Sequence, residues 1–278
     1  MDKKIINGKY LKQEILKTVK KQIQDLDKRP GLAAVLVGDN PASKLYVKLK
    51  KAACQDCGIE FYDYLFEEKT NQETIIQCLK YLNQDPEITG ILVQLPLPDK
   101  FDTDKIVKTL DRRKDIDGFH PKNREKMQKC DYKILPPLPA AIEQMIKSTE
   151  QEIKQKNICI LCNHKLFADP FFCLWDKDNQ VNAVTTKDSQ WKDQVAQADI
   201  LIVSLGIPFF ITKEMIKPDC TIIDVGINKL ENGETVGDVN LADVADKVKF
   251  ISPVPGGVGP VTVAMLLKNL LHLAEMNN

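Results

Sequence analysis

An α/β fold of two parallel-sheet domains, the second of them Rossmann-like, is the architecture predicted by this sequence. Three observations predict it. Short apolar strands alternate with amphipathic helices, a charged segment from Ser148 to Lys156 interrupts that alternation, and a helix with a wide apolar face closes the chain. The length of 278 residues also matches two domains at roughly 150 residues each.

Residues 11–26 place Leu11, Ile15, Val19, Ile23 and Leu26 at helical spacing and stop before Arg29-Pro30-Gly31. Leu32 to Val37 reads as a buried strand, Gly38-Asp39-Asn40-Pro41 as a turn, Ser43 as a helix cap, and Tyr46 to Cys57 as a helix stopped by Gly58. A strand at Ile59–Phe66, a helix at Thr74–Leu82 and a strand at Ile91–Gln94 follow, the last closed by Leu95-Pro96-Leu97-Pro98. Leu135-Pro136-Pro137-Leu138-Pro139 leads into a helix ending near Lys147. Beyond the boundary, strands are expected at Ile158–Cys162, Val181–Val184, Ile200–Ser204, Thr221–Val225 and Val248–Ser252, the pattern of a Rossmann-like sheet. In the final helix, Pro260 to Met276, the apolar face of Val263, Leu266, Leu267, Leu270, Leu271 and Leu273 must dock on other structure. The expected domains are residues 1–147, 148–252, and a loop and helix at 253–278 that pack back on the first.

Composition narrows the function. With 39 Lys+Arg against 39 Asp+Glu, the formal charge is zero, which argues against nucleic acid as a partner. No apolar run approaches the roughly 20 residues that span a bilayer, and the opening residues have no leader pattern, so a cytoplasmic protein without membrane contact is expected. Eight cysteines include Cys54/Cys57 and Cys159/Cys162. Ligand pairs of structural zinc usually lie closer in sequence, and strand alternation puts Cys159 and Cys162 on opposite faces. The expectation is reduced, buried thiols and no metal. His120, His164 and His272 are scattered, without metal-ligand spacing.

Tyr46 and Lys50 lie four residues apart on one predicted helix, so a phenol ring and a tunable base share a face just after a strand-to-helix turn. Gln94 ends an apolar strand, where α/β sheets bind ligands, and an amide there can orient a neighbour. Asp117 belongs to Asp115-Ile116-Asp117-Gly118-Phe119-His120-Pro121, where two aspartates compete for any role and Asp-Gly is also a plain turn signal. Spacing alone leaves structural readings open for all of these. The three glycines of Pro253-Val254-Pro255-Gly256-Gly257-Val258-Gly259-Pro260 let backbone approach a planar ligand, or make a stiff hinge. Residues 119–205 contain no glycine, although the first strand of the second domain falls among them. A dinucleotide site wants glycines directly after that strand, so these residues by themselves argue against tight dinucleotide binding.

Together the segments resemble the bifunctional methylenetetrahydrofolate dehydrogenase/methenyltetrahydrofolate cyclohydrolase (FolD-type) family over nearly the whole chain. The resemblance rests on Val37-Gly38-Asp39-Asn40-Pro41-Ala42-Ser43 with Tyr46-Val47 and Lys50, on Gly90 through Pro98, on Lys114 through Pro121, on Ile223-Asp224-Val225-Gly226-Ile227-Asn228, and on Pro253 through Pro260 followed by Thr262. It implies a folate-binding first domain joined by the last helix, a nucleotide-binding middle domain, and a homodimer with the active site between the halves. Tetrahydrofolate is the implied substrate and NADP the implied cofactor. By the same resemblance Lys50 is the catalytic lysine, Tyr46 the ring against the pterin, Gln94 the amide that tunes the lysine, and Asp117 the carboxylate on the pterin's amino edge. Pro255, Gly256 and Gly257 would line the substrate, and Cys162, Asn163, His164 and Ile227 would meet the cofactor.

Departures cluster on the cofactor side. The family's Gly-x-Ser-x-x-Val-Gly-x-Pro loop reads Cys162-Asn163-His164-Lys165-Leu166-Phe167-Ala168-Asp169-Pro170, and Asp169 stands where a basic residue would suit a 2′-phosphate. The family's Pro-Cys-Thr-Pro reads Pro136-Pro137-Leu138-Pro139, and Glu125 replaces an expected glycine. The implied activities are hydrolysis of 5,10-methenyl-tetrahydrofolate and NADP-dependent oxidation of 5,10-methylene-tetrahydrofolate. The alternative is a non-catalytic folate-binding or heteromeric partner protein derived from the family.

Overall fold

The computed structural model describes residues 4–277 and divides into two compact units, one of Gln13–Pro137 with the residues from Val263 onward, the other of Leu138–Thr262 with the residues up to Lys12. We call them the N-terminal and central units. The first half of the chain forms α1 (Gly8–Gln24), β1 (Gly31–Val37), α2 (Pro41–Cys57), β2 (Glu60–Phe66), α3 (Gln72–Gln84), β3 (Gly90–Val93), α4 (Thr103–Thr109), α5 (Pro121–Gln128) and α6 (Pro137–Lys147).

Three parallel strands in the order β2-β1-β3 make the N-terminal sheet, with Gly31 opposite Glu60 and Leu32 opposite Gly90. Every residue of β1 is buried, because helices cover both faces. Leu32, Ala34 and Leu36 pack with Val19 and Ile23 of α1, Val47 and Cys54 of α2, and Leu266, Leu267 and Leu270 of the terminal helix. The alternate residues Ala33, Val35 and Val37 pack with Ile75, Leu79 and Leu82 of α3 and Ile106 of α4.

Two local expectations change. Asn40, not Ser43, caps α2: its side chain accepts from the Ser43 amide, while Ser43 lies buried in the first turn. Helices α4 and α5 had no sequence signal, since α4 has only seven residues and α5 buries only Met127, leaving no apolar periodicity to read.

The central unit runs β4 (Asn157–Cys162), α7 (Asp169–Trp175), β5 (Gln180–Val184), α8 (Trp191–Gln197), β6 (Ile200–Ser204), β7 (Thr221–Asp224), β8 (Asn228–Lys229), β9 (Thr235–Val236), α9 (Leu241–Val244) and β10 (Phe250–Ile251), after which α10 (Val258–Asn277) begins. Its five parallel strands stand in the order β10-β7-β6-β4-β5. This is a doubly wound sheet whose strand order reverses between β4 and β6, where such sheets open a ligand crevice. Residues up to Lys12 belong here rather than with residues 13–137 because the Ile6 amide donates to the Ile251 carbonyl at 2.8 Å and the Ile251 amide to the Lys4 carbonyl at 2.9 Å. An edge pairing this short carries no periodicity that the sequence could show.

Two buried carboxylates organise the carboxyl-terminal edge of the central sheet. Asp238 accepts from the amides of Leu205 (2.6 Å), Gly206 (3.0 Å) and Ile207 (2.9 Å) and from Asn228 Nδ2 (2.9 Å). Asp224 accepts from the amides of Gly226, Asp238 and Val239, and burial pushes its pKa up to about 6. A Cβ at Gly226 would collide with the Asp238 carboxyl, and one at Gly237 with that of Asp224, so both glycines are dictated by this pair.

Cys54, Cys57, Cys159, Cys162 and Cys220 are buried free thiols and Cys78 a half-buried one. Cys130 and Cys173 correct the expectation of eight reduced thiols, since each is disulfide-bonded. Neither of the two lies in the buried strands. Among the described residues no group of three or more His, Cys, Asp or Glu could hold a metal ion, and no helix is long and apolar enough to cross a membrane.

Asp238→Asn keeps one acceptor oxygen and sets its amide donor either against the Leu205 and Gly206 amides or against the Ile207 amide and the Asn228 side chain. A stability loss of about 1–3 kcal/mol is expected, read from the urea midpoint. An unchanged midpoint would contradict the role given to Asp238.

Candidate functional site

The turn after β1 and the cap at Asn40 start α2 so that Lys50 lies near the carboxyl-terminal end of β3. Of the four lysines in this region, Lys51 pairs with Asp63, Lys44 with Asp39 at 2.6 Å, and Lys48 is exposed. Lys50 alone turns inward, where its Nζ donates to Gln94 Oε1 at 3.0 Å. Gln94 is only 9% exposed. Its amide N–H continues the sheet by donating to the Val35 carbonyl at 2.9 Å, and its Nε2 donates to the Leu95 carbonyl at 2.7 Å. That second bond fixes which end of the side-chain amide faces the lysine. Burial lowers the Lys50 pKa, and the nearby Asp117 charge opposes part of the shift.

The segment Asp115–His120 settles which aspartate is available. Asp115, 1% exposed, accepts from the amides of Gly118 (3.1 Å), Phe119 (3.3 Å) and His120 (2.8 Å) and from Asn123 Nδ2 (2.9 Å). It is consumed in folding the loop. Asp117 makes no hydrogen bond with any described residue, and its pKa is pushed up to about 6, chiefly by burial, against the pull of Lys50. Gly118 has φ +75°, which lets the chain turn directly after Asp117 and present the amides of residues 118–120 to Asp115. From α10, Asn269 Nδ2 donates to the carbonyls of Ile116 (3.1 Å) and Leu135 (2.9 Å), pinning the loop. Asn269 and the anchoring role of Asp115 were not visible in the sequence, and a polar residue on the apolar face of the last helix was the one available signal. Tyr46 is half-buried beside this group, its hydroxyl makes no hydrogen bond with a described residue, and burial raises its pKa. The N-terminal unit therefore brings Tyr46, Lys50, Gln94 and Asp117 together, with a ring and a carboxylate left free for a ligand.

His120 is structural: its Nδ1 accepts from the Lys122 amide and caps α5. Pro255, Gly256 and Gly257 lie in the central unit, where packing already explains two glycines. Gly256 has φ +102°, and a Cβ on Gly257 would strike the Pro253 carbonyl.

At the crevice of the central sheet, Cys162 at the end of β4 pairs with Ser204 at the end of β6. Asn163, His164, Lys165 and Leu166 are exposed just beyond. Side chains, not glycine amides, shape this turn: Asn163 Nδ2 donates to the Leu205 carbonyl at 2.6 Å and Cys162 Sγ to the His164 carbonyl at 3.4 Å. On the opposite lip, Gly206 has φ +67° and open space where a Cβ would stand, and Ile227 is 53% exposed. The donor set fits a dinucleotide in a particular way, with an open glycine and an apolar contact on one lip and side-chain donors with a lysine on the other.

A sheet unit with a half-buried, inward-facing lysine held by an amide, joined in one chain to a doubly wound unit with an open crevice, defines a two-domain enzyme of the dinucleotide-dependent α/β class. Comparison with known proteins gives the family. Residues 6–117 match the model described as tetrahydrofolate dehydrogenase/cyclohydrolase, catalytic domain, and residues 136–278 the one described as tetrahydrofolate dehydrogenase/cyclohydrolase, NAD(P)-binding domain. The chain is 41% identical over 280 aligned residues to the bifunctional protein FolD of Acetivibrio thermocellus, covering 99% of this chain and 98% of that one. It is 40% identical to the FolD of Nautilia profundicola, covering 98% and 97%. Among solved structures, the bifunctional FolD of Campylobacter jejuni superposes with a TM-score of 0.94 at 36% identity, covering 99% of both chains. The Trypanosoma brucei FolD, solved with NADP cofactor and inhibitor, superposes with a TM-score of 0.92 at 28% identity, covering 98% of this chain and 97% of that one. The chain belongs to the tetrahydrofolate dehydrogenase/cyclohydrolase family.

Asp117 takes up a proton as the pH falls through about 6, and the Lys50 charge favours its ionised form. Infrared difference titration of the carboxyl band should give a midpoint near that value, and Lys50→Met should move it upward. A midpoint unmoved by the substitution would contradict the coupling.

Proposed function

We propose that this chain interconverts one-carbon units on tetrahydrofolate, hydrolysing 5,10-methenyl-tetrahydrofolate to the 10-formyl form and oxidising 5,10-methylene-tetrahydrofolate with NADP. The observation that carries the reading is the inward Lys50 held by Gln94 beside the unspent carboxylate of Asp117. Asp117 accepts hydrogen bonds from the amino edge of the pterin, and the Tyr46 ring packs on its face. Pro255, Gly256 and Gly257 supply further substrate-binding backbone in this reading, and Cys162, Asn163, His164 and Ile227 the cofactor contacts.

In hydrolysis the electrophile is the cationic methenyl carbon between N5 and N10. A base is needed for the attacking water, and a lysine of ordinary pKa near 10.4 is almost fully protonated at neutral pH. Burial lowers the Lys50 pKa and raises the fraction of free amine. As the water oxygen bonds to the methenyl carbon, Lys50 takes one water proton and a neutral carbinol forms. Collapse then makes the formyl carbonyl, breaks the carbon–N5 bond and leaves the hydroxyl proton on N5. The Lys50 ammonium returns its proton to solvent, so one proton is released overall. Gln94 holds the lysine in line through its fixed carbonyl oxygen.

For the oxidation, the chemistry that NADP supplies when bound is acceptance of a hydride from the methylene carbon. A cytoplasmic homodimer belongs to the same proposal and draws its support from the family resemblance.

Lys50→Met should lower methenyl hydrolysis by about 10²–10⁴-fold while folate binding, followed by fluorescence titration, persists. Undiminished turnover in that variant would sink the role assigned to Lys50.

A further inference from the structure

One ion pair of the central unit has no part in the folate chemistry. Lys165, in the 3₁₀ turn Lys165–Ala168 after β4, reaches Asp188, in the turn after β5, with Nζ 3.2 Å from Oδ2 and 3.3 Å from Oδ1. Strands β4 and β5 are parallel neighbours, with Leu161 opposite Val184, so the pair bridges the carboxyl-terminal ends of the first two strands of the sheet. In doubly wound folds this edge takes the adenosine ribose of a dinucleotide. A carboxylate there accepts from the 2′,3′-diol, whereas a cation there accommodates a 2′-phosphate.

Both charges are present here, and the hydrogen bonds decide between them. Asp188 Oδ2 already accepts from the Thr185 amide at 2.7 Å and from Thr185 Oγ1 at 3.0 Å. These bonds and Lys165 hold its pKa below the usual carboxylate range. A vicinal diol is gripped by two unencumbered carboxylate oxygens, and Asp188 has one oxygen committed to its own turn. The Lys165 side chain is 56% exposed, and an ammonium carries three N–H donors, so donors remain beyond the pair. Lys187, exposed and next to Asp188 in the chain, adds a second positive charge to this turn.

We propose that Lys165, positioned by Asp188, is the contact for a 2′-phosphate on the dinucleotide and so sets a preference for NADP over NAD. The assignment rests on the proposed function. It moves phosphate recognition away from position 169, where this sequence has an aspartate, onto the 3₁₀ turn.

The test is calorimetric titration of the full chain with adenosine 2′,5′-bisphosphate and with 5′-AMP, which differ only in the 2′-phosphate. The unmodified protein should bind the bisphosphate at least about tenfold more tightly, the effect of one charge-assisted hydrogen bond. Lys165→Gln should bring the ratio close to one, and Lys165→Arg should keep most of it, with circular dichroism confirming that both variants fold. Equal affinities in the unmodified protein, tighter binding of 5′-AMP, no binding of either ligand, or a ratio that survives Lys165→Gln would each overturn the assignment. Methenyl hydrolysis by the unmodified protein, assayed without nucleotide, reports separately on the folate reading.

Discussion

Lys50 sits where water cannot fully solvate its ammonium, facing a neutral carbonyl oxygen rather than a paired carboxylate, and the rest of the N-terminal unit serves that arrangement. A free carboxylate in hydrogen-bond contact would hold the lysine protonated. An amide oxygen directs the nitrogen without fixing its charge. The amide can do so because Gln94 is the first residue past β3, still tied to β1 through its backbone and locked by its own Nε2 bond. Asp117 acts at longer range, opposing part of the desolvation of Lys50 while its own carboxyl is held near neutrality. Two titratable groups whose environments draw both pKa values toward neutral pH suit a site that moves a proton and grips a donor-rich ring.

The central unit solves a different problem. Without glycines after β4, it cannot bring backbone amides close to a ligand in the usual way. It instead braces the turn with side chains, Asn163 to the Leu205 carbonyl and Lys165 to Asp188. The other lip is fixed by Asp224 and Asp238, which gather the amides of Leu205, Gly206, Ile207, Gly226 and Val239 and require glycine at 226 and 237. The glycines of the Ile223–Asn228 motif and its neighbour thus answer to a carboxylate network.

Much of this was legible in the sequence because it depends on local spacing. The i, i+4 relation singled out Tyr46 and Lys50, and the end of an apolar run singled out Gln94. The competition between Asp115 and Asp117 could not be settled that way. Their difference lies in which carboxylate receives the amides of residues 118–120, a property of the folded loop. Asn269 lies more than a hundred residues from the carbonyls it holds, and the pairing of the first residues with β10 is too short to leave a pattern. Helix α4 is too short and α5 too polar to show an apolar period, and no spacing rule separates Cys130 and Cys173 from the other thiols. The missing glycines are a departure that the sequence shows directly, whereas the side-chain bracing that replaces them became visible only in three dimensions.

The central claim is that burial against Gln94 leaves Lys50 a usable base, and its own titration tests this most directly. Carbon-detected NMR of the Lys50 side chain across the alkaline range should give a pKa below the ordinary lysine value of about 10.4. An ordinary or raised value would contradict the account, because Lys50 would then be a fixed cation and the proton would have to leave the attacking water by another route.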